Sequence, residues 1–180
     1  MAARPVSAEI YTTSHRILGR LNPGASGLFS FLNIPTRSFL EVEGAILSRM
    51  HQPNRMVARF PTIWLVKQEV VAVLVSSRVE LGPSVLQQRG YVSRATHRLE
   101  VVLGGYELRG SVETAGKFNF SSLMFEGDSL FIPLYEAELT AILFANIKAQ
   151  SPALLFNRRM VDAIGLLPRK DLYPESPEGD

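Results

Sequence analysis

The chain has 180 residues, 46% hydrophobic and 20% charged, which is enough apolar surface for a core and argues against disorder for most of its length. Its net charge is +2, and its 15 Arg and 4 Lys are spread along the chain rather than gathered into the basic stripe of a dedicated nucleic-acid binder. It has no cysteine, which excludes disulfides and thiolate metal sites, and no apolar run of the roughly 18 residues that a membrane helix needs, so a cytoplasmic protein without membrane insertion is expected.

After an N-terminal arm (1–7), "EIYTTS" and "HRILGRL" alternate as strands do, with Gly19 marking a bulge or bend in the second. "NPGASG" is turn chemistry, and "LFSFLN" reads as a helical turn that plugs one end of a small barrel. In "SFLEVEGAILS" the residues Phe39, Glu41 and Glu43 face one way, and Leu40, Val42 and Gly44 the other. "RMVARF" and "TIWLVK" form one long bent strand or two, split near Pro61, and "EVVAVLVS" closes a unit of residues 8–76. A connector (77–98) follows, in which "PSVLQQRGYV" is predicted as a short helix opened by Pro83 or as extended chain. A second unit occupies 99–167, with "LGG" as a hairpin turn, Gly110 in its second strand, and Pro133 expected at an edge or bulge. The tail, 168–180, carries three prolines and an acidic end and is read as mobile.

The second unit repeats the first at an offset of 91 residues. Glu9, Ile10, Ile17, Gly19 and Leu21 fall on Glu100, Val101, Leu108, Gly110 and Val112. One inserted residue later, Phe39, Ala45 and Leu47 fall on Phe131, Ala137 and Leu139, and at the original offset Pro61, Val70 and Ala72 fall on Pro152, Val161 and Ala163. Apolar positions and Gly and Pro punctuation coincide where letters differ, which indicates an internal duplication. The fold class is therefore mainly β: two tandem, small, strongly bent β-barrel repeats of five or six strands each. A unit of this size is marginally stable alone, so the two should pack together or bury surface on another chain.

The run "SFLN", "SFLEVEGA", "PTIWLVKQEVVAVL" resembles an uncharacterised family of short bacterial β-domain proteins, through Phe31, Leu32 and Asn33, then Phe39, Leu40, Val42 and Ala45, then Leu65, Val66, Lys67 and Val70. The second repeat keeps Leu123, Phe131, Ile132, Leu134 and Ala137 and has Met124 where Asn33 stands. The strand order is also distantly similar to Sm-like and SH3-like barrels, the former being the fold of RNA-chaperone rings. That likeness implies RNA contact by Asn33, Lys67 and Gln68 in the first repeat and by Asn157, Arg158 and Arg159 in the second. No Asp precedes "FLN", and the turn glycine of the Sm pattern is missing from both repeats.

No catalytic or metal-ligating set is expected. His15, His51 and His97 have no partner at ligand spacing and are read as surface or structural residues. Glu41 and Glu43 are not carried into the second repeat, where Pro133 and Tyr135 stand, and are read as a solvated strand face. The glycines fit no phosphate-loop frame, and no cofactor is expected. Trp64 is assigned to core or interface packing, or alternatively to a ligand platform. The expected function is a non-enzymatic interaction or scaffold protein that binds a protein partner or itself through strand edges. The alternatives are RNA or single-stranded nucleic-acid binding and a small-ligand regulatory barrel.

Overall fold

The computed structural model describes residues 4–87, 94–144 and 146–168, so the expected mobile tail lies almost wholly outside the described residues. The first half runs through β1 (Val6–Thr12), β2 (His15–Leu21), a short helix α1 (Gly27–Leu32), β3 (Phe39–Arg49), β4 (Gln52–Val66) and β5 (Val70–Val75). The second half runs through β6 (Ala95–Leu103), β7 (Tyr106–Thr114), α3 (Phe120–Phe125), β8 (Phe131–Ala141), β9 (Lys148–Asn157) and β10 (Val161–Leu166). Between them lie a 3-10 turn at Arg78–Leu81 and the short helix α2 (Pro83–Gln87).

Local chemistry explains most of these elements. The β1–β2 turn is tied by Thr12 Oγ1, which accepts from the backbone N–H of His15 at 3.0 Å. The β6–β7 hairpin turns on Gly104 and Gly105, both at positive φ (51° and 88°), as a tight turn of this type demands. The Arg78–Leu81 turn opens on a capping box, with Ser77 accepting from the turn's backbone and Glu80 reaching back to the N–H of Ser77. Helix α1 buries Leu28, Phe31 and Leu32.

The strands form one antiparallel sheet in the order β10-β6-β7-β8-β9-β5-β1-β2-β3-β4. In place of two separate units, the halves share a single sheet that is not closed. Each half contributes the same internal order, with its fifth strand beside its first and its fourth at the far end. Strand β5 of the first half pairs with β9 of the second, in the register Ala72–Phe156, Val73–Leu155, Leu74–Leu154, Val75–Ala153. That pairing covers two of the four edges the halves would otherwise present.

A bend recurs in each half. The β2–β3 ladder shifts register at Gly19, opposite Gly44 (φ 58°), and the β7–β8 ladder shifts at Gly110, opposite Glu136 (φ 46°). A Cβ on Gly19 would stand 2.4 Å from a Val42 methyl, and one on Gly110 would stand 2.7 Å from Leu134 Cγ. Glycine is required at both because the strands cross too closely for any side chain.

Of the one or two strands expected around Pro61, one forms: β4 runs through it for 15 residues. Because β4 ends the sheet, a proline there interrupts no central ladder. Pro133 lies on a strand between β7 and β9 rather than at a sheet edge. The β7 ladder stops at Tyr135, however, so Pro133 has a strand partner on one side only, Leu155. β6 begins at Ala95, inside the stretch read as connector, and places His97 within a strand. The predicted connector helix is present over Pro83–Gln87, and residues 88–93 lie outside the described residues.

Two apolar clusters form the core. One gathers Ile10, Ile17, Leu21, Leu32, Leu40 and Val42 of the first half, but also Phe131, Tyr135, Ala153 and Leu155 of the second. The other gathers Leu99, Val101, Leu108, Leu134 and Leu139 of the second half, together with Tyr11, Val71, Ala72 and Leu74 of the first. All six residues of β5 are buried, as a strand covered on both faces requires. Each half therefore completes the other's core.

Candidate functional site

The β5–β9 pairing brings two 3-10 turns together, Lys67–Glu69 and Arg158–Met160. They border a cleft of about 200 Å³ lined by Asn33, Arg37, Ser38, Lys67, Gln68, Asp128, Arg158 and Arg159, with Pro35 and Leu130. Five of the six residues that the Sm-like resemblance singles out thus meet in one place, although 91 residues separate Lys67 from Arg158. Four cations face one carboxylate there.

These groups are not equally available. Lys67 is only 5% exposed, and its Nζ donates to the carbonyl of Ile34 at 2.7 Å. Burial, and then the nearby Arg37 charge, pull its pKa below the ordinary lysine value. Arg158 donates to the carbonyls of Glu126 (2.7 Å) and Gly127 (2.5 Å), which pins its guanidinium against the loop after α3. Arg159 and Gln68 are exposed. Arg37 lies over the Phe31 ring at 4.5 Å.

The two asparagines do a different job from the one expected. Asn157 is fully buried, so it cannot touch a nucleic acid. Its Nδ2 donates to the carbonyls of Gln68 (3.1 Å) and Val70 (3.0 Å), and its Oδ1 accepts from the N–H of Arg159 at 3.0 Å. Asn33 accepts from the N–H of Phe131 at 2.8 Å and donates to that residue's carbonyl at 3.0 Å, imitating a strand partner. Both staple one half to the other. Ser151 adds a third tie, its hydroxyl within 2.6 Å of the Val75 carbonyl. Sequence reasoning missed Arg37 and Asp128, because only the fold of their loops carries them to the cleft.

The second surface is the pair of sheet edges, β4 and β10, that no other strand among the described residues covers. Along β4, Met56, Val57, Trp64 and Val66 are exposed, and Leu166 is exposed on β10. Trp64 is 62% exposed, so it is not a core residue. It is the largest apolar group presented by a free edge. Long free edges with apolar side chains are association surfaces unless something covers them.

No group of three or more metal-ligating side chains occurs among the described residues. His15 Nδ1 lies 2.8 Å from Ser14 Oγ, and His97 Nε2 lies 2.9 Å from the Gly116 carbonyl, both local strand-end contacts. Glu43 accepts from Asn22 Nδ2 at 2.7 Å, and Glu41 is exposed. A Glu9–Tyr11–Arg16 cluster that sequence reasoning did not pick out ties β1 to β2. Tyr11 donates to Glu9, Glu9 pairs with Arg16, and burial pushes the phenol's pKa far up, which keeps it a neutral donor. No helix among the described residues is long and apolar enough to cross a membrane. The chain matches no protein-family model, and neither the curated proteins nor the solved structures contain a match to it.

Proposed function

We propose that the chain is a non-enzymatic interaction or scaffold protein, a duplicated pair of small, strongly bent β units that binds partner strands at its two free edges. The observation that carries this reading is the β5–β9 junction. Main-chain pairing joins the halves there, while the equivalent strands β10 and β4 are uncovered among the described residues and present Trp64, Val66 and Leu166 at the surface. The recurring strand order and the matching Gly19 and Gly110 crossings support duplication. Sm-like barrel ancestry rests on the sequence motifs and on this order.

The test is light scattering across a concentration series, with pull-down from the source lysate, for the chain and for Trp64→Lys and Leu166→Lys. Charges on an exposed edge oppose strand addition. The reading expects association that each substitution weakens. A chain that is monomeric throughout and captures nothing in an edge-dependent way overturns it.

A second reading is favoured by the cationic cleft: binding of RNA or single-stranded nucleic acid through phosphate contacts. Arg159→Ala should weaken such binding, and affinity should fall steeply as salt rises. Absence of binding to a single-stranded oligonucleotide at roughly 50 mM salt removes this reading.

A further inference from the structure

The internal junction also predicts what occupies the free edges. We infer that β10 of one copy pairs antiparallel with β4 of a second copy, head to tail, in the register of the β5–β9 pairing. The inference rests on the interaction reading above and names the partner, its polarity and its alignment.

The argument is one of equivalence. β5 and β10 are the closing strands of the two halves, and β9 and β4 are their fourth strands, each displaced by 91 residues. Carrying the observed pairs across by that offset gives Ala163–Leu65, Ile164–Trp64, Gly165–Ile63 and Leu166–Thr62. Side-chain sizes fit this alignment. On one face the small residues Ala163 and Gly165 stand opposite the large Leu65 and Ile63. A Cβ at Gly165 would meet nothing within 4 Å, so there is room for a neighbour. On the other face Ile164, half-buried, meets Trp64, whose counterpart Leu155 is fully buried inside the molecule. Ile63 and Leu65 already pack beneath the first core cluster, and Ile164 beneath the second, so a junction there would extend both cores across the contact.

Edge pairing of β4 with β4 would leave β10 uncovered and has no precedent within the molecule. The polar staples of the internal junction have no equivalents on the free edges. Ser151 and Asn157 correspond to Phe60 and Val66, and Asn33 corresponds to Met124. The internal junction is therefore the more strongly specified, and the free edges are left for a contact of mainly apolar character.

The chain has no cysteine, so register can be read by disulfide formation without background. Singly substituted chains are mixed under mild oxidation: Trp64→Cys with Ile164→Cys, and Leu65→Cys with Ala163→Cys. Directly opposed residues on antiparallel strands lie within disulfide reach. All four positions are exposed or half-buried, so no fully buried residue is replaced. The expected result is a linked heterodimer in each mixture, at least tenfold above a Thr62→Cys with Ile164→Cys mixture that is two residues out of register. Trp64→Cys linking to itself in place of Ile164→Cys overturns the head-to-tail pairing while leaving edge binding intact. A chain that stays monomeric in sedimentation yet captures another protein through Trp64 also overturns it and spares the broader reading. A monomer with no edge-dependent capture overturns both.

Discussion

The covered strands β5 and β9 and the uncovered strands β10 and β4 occupy corresponding places in the two halves, yet they carry different chemistry. "VVAVLV" in β5 is buried at every position, whereas "VDAIGL" in β10 places Asp162, Ala163, Gly165 and Leu166 in solvent. From Ala153 to Asn157, β9 is buried throughout, whereas the matching stretch of β4 alternates between exposed and half-buried. The β5–β9 pair is buried and has polar side chains that satisfy its ends. The outer strands β10 and β4 have no such side chains at the corresponding positions. The difference teaches that two halves with one strand order can be made non-equivalent by a few residues at the ends of their outer strands.

The largest test of that contrast is at matched positions. Leu155→Ala should cost about 2–5 kcal/mol, since it opens a cavity in the first core cluster from the second half. Its counterpart Trp64→Ala should change the stability of the single chain by no more than about 0.5 kcal/mol. Urea unfolding of both variants checks this, and equal losses would erase the distinction between covered and free edges. Next, Asn157→Ala should cost about 2–3 kcal/mol, because Gln68, Val70 and Arg159 each lose a buried partner. Val66→Ala, at the corresponding position, should be near neutral by the same measurement.

The equivalence of the halves can be sharpened separately. Gly19→Ala and Gly110→Ala should each destabilise by roughly 1–3 kcal/mol, because both would force a Cβ into the crossing strand. A large effect at one site and none at the other would show that the bends are not alike. Among the ties between the halves, the mildest loss is expected at Tyr106. Tyr106 donates to the Thr12 carbonyl at 2.5 Å and meets the Tyr11 ring edge-on at 5.8 Å. Burial raises its pKa above the ordinary value of about 10. The unfolded chain therefore releases this proton first, and the stability tied to it, present below about pH 10, is lost as pH rises further. Tyr106→Phe should cost about 1 kcal/mol near neutrality and lessen the alkaline loss in thermal melts.

Much of this was legible in the letters where the determinant is local. Gly104–Gly105 between alternating runs announces a hairpin, and Gly19 and Gly110 announce bends. "VVAVLV" lacks the alternation of a half-exposed strand, which signals burial on both faces. What the strand packs against is not local. Nothing in β5 names β9, 80 residues on, as its neighbour rather than β4 of the same half. The cleft shows the same boundary. Lys67 reads as a surface turn residue, and its burial depends on the Ile34 carbonyl being delivered by a separate loop. Asn157 reads as part of a basic hairpin tip beside two arginines, and its role as a buried tie appears only once β5 lies alongside it.

One corner has a meaning beyond geometry. Where the first half bends on Gly44, the second bends on Glu136 at φ 46°, a conformation that costs a non-glycine residue on the order of 1–2 kcal/mol. Its carboxylate lies 3.5 Å from Arg78, whose guanidinium also stacks on Tyr135 at 4.1 Å and reaches Glu113 at 3.6 Å. Arg78 belongs to the segment that links the halves. The left-handed backbone at Glu136 thus places a carboxylate beside an arginine that Tyr135 and Glu113 also contact. Glycine there would ease the corner and remove one contact to Arg78, leaving Glu113 and Tyr135 to hold the linking segment.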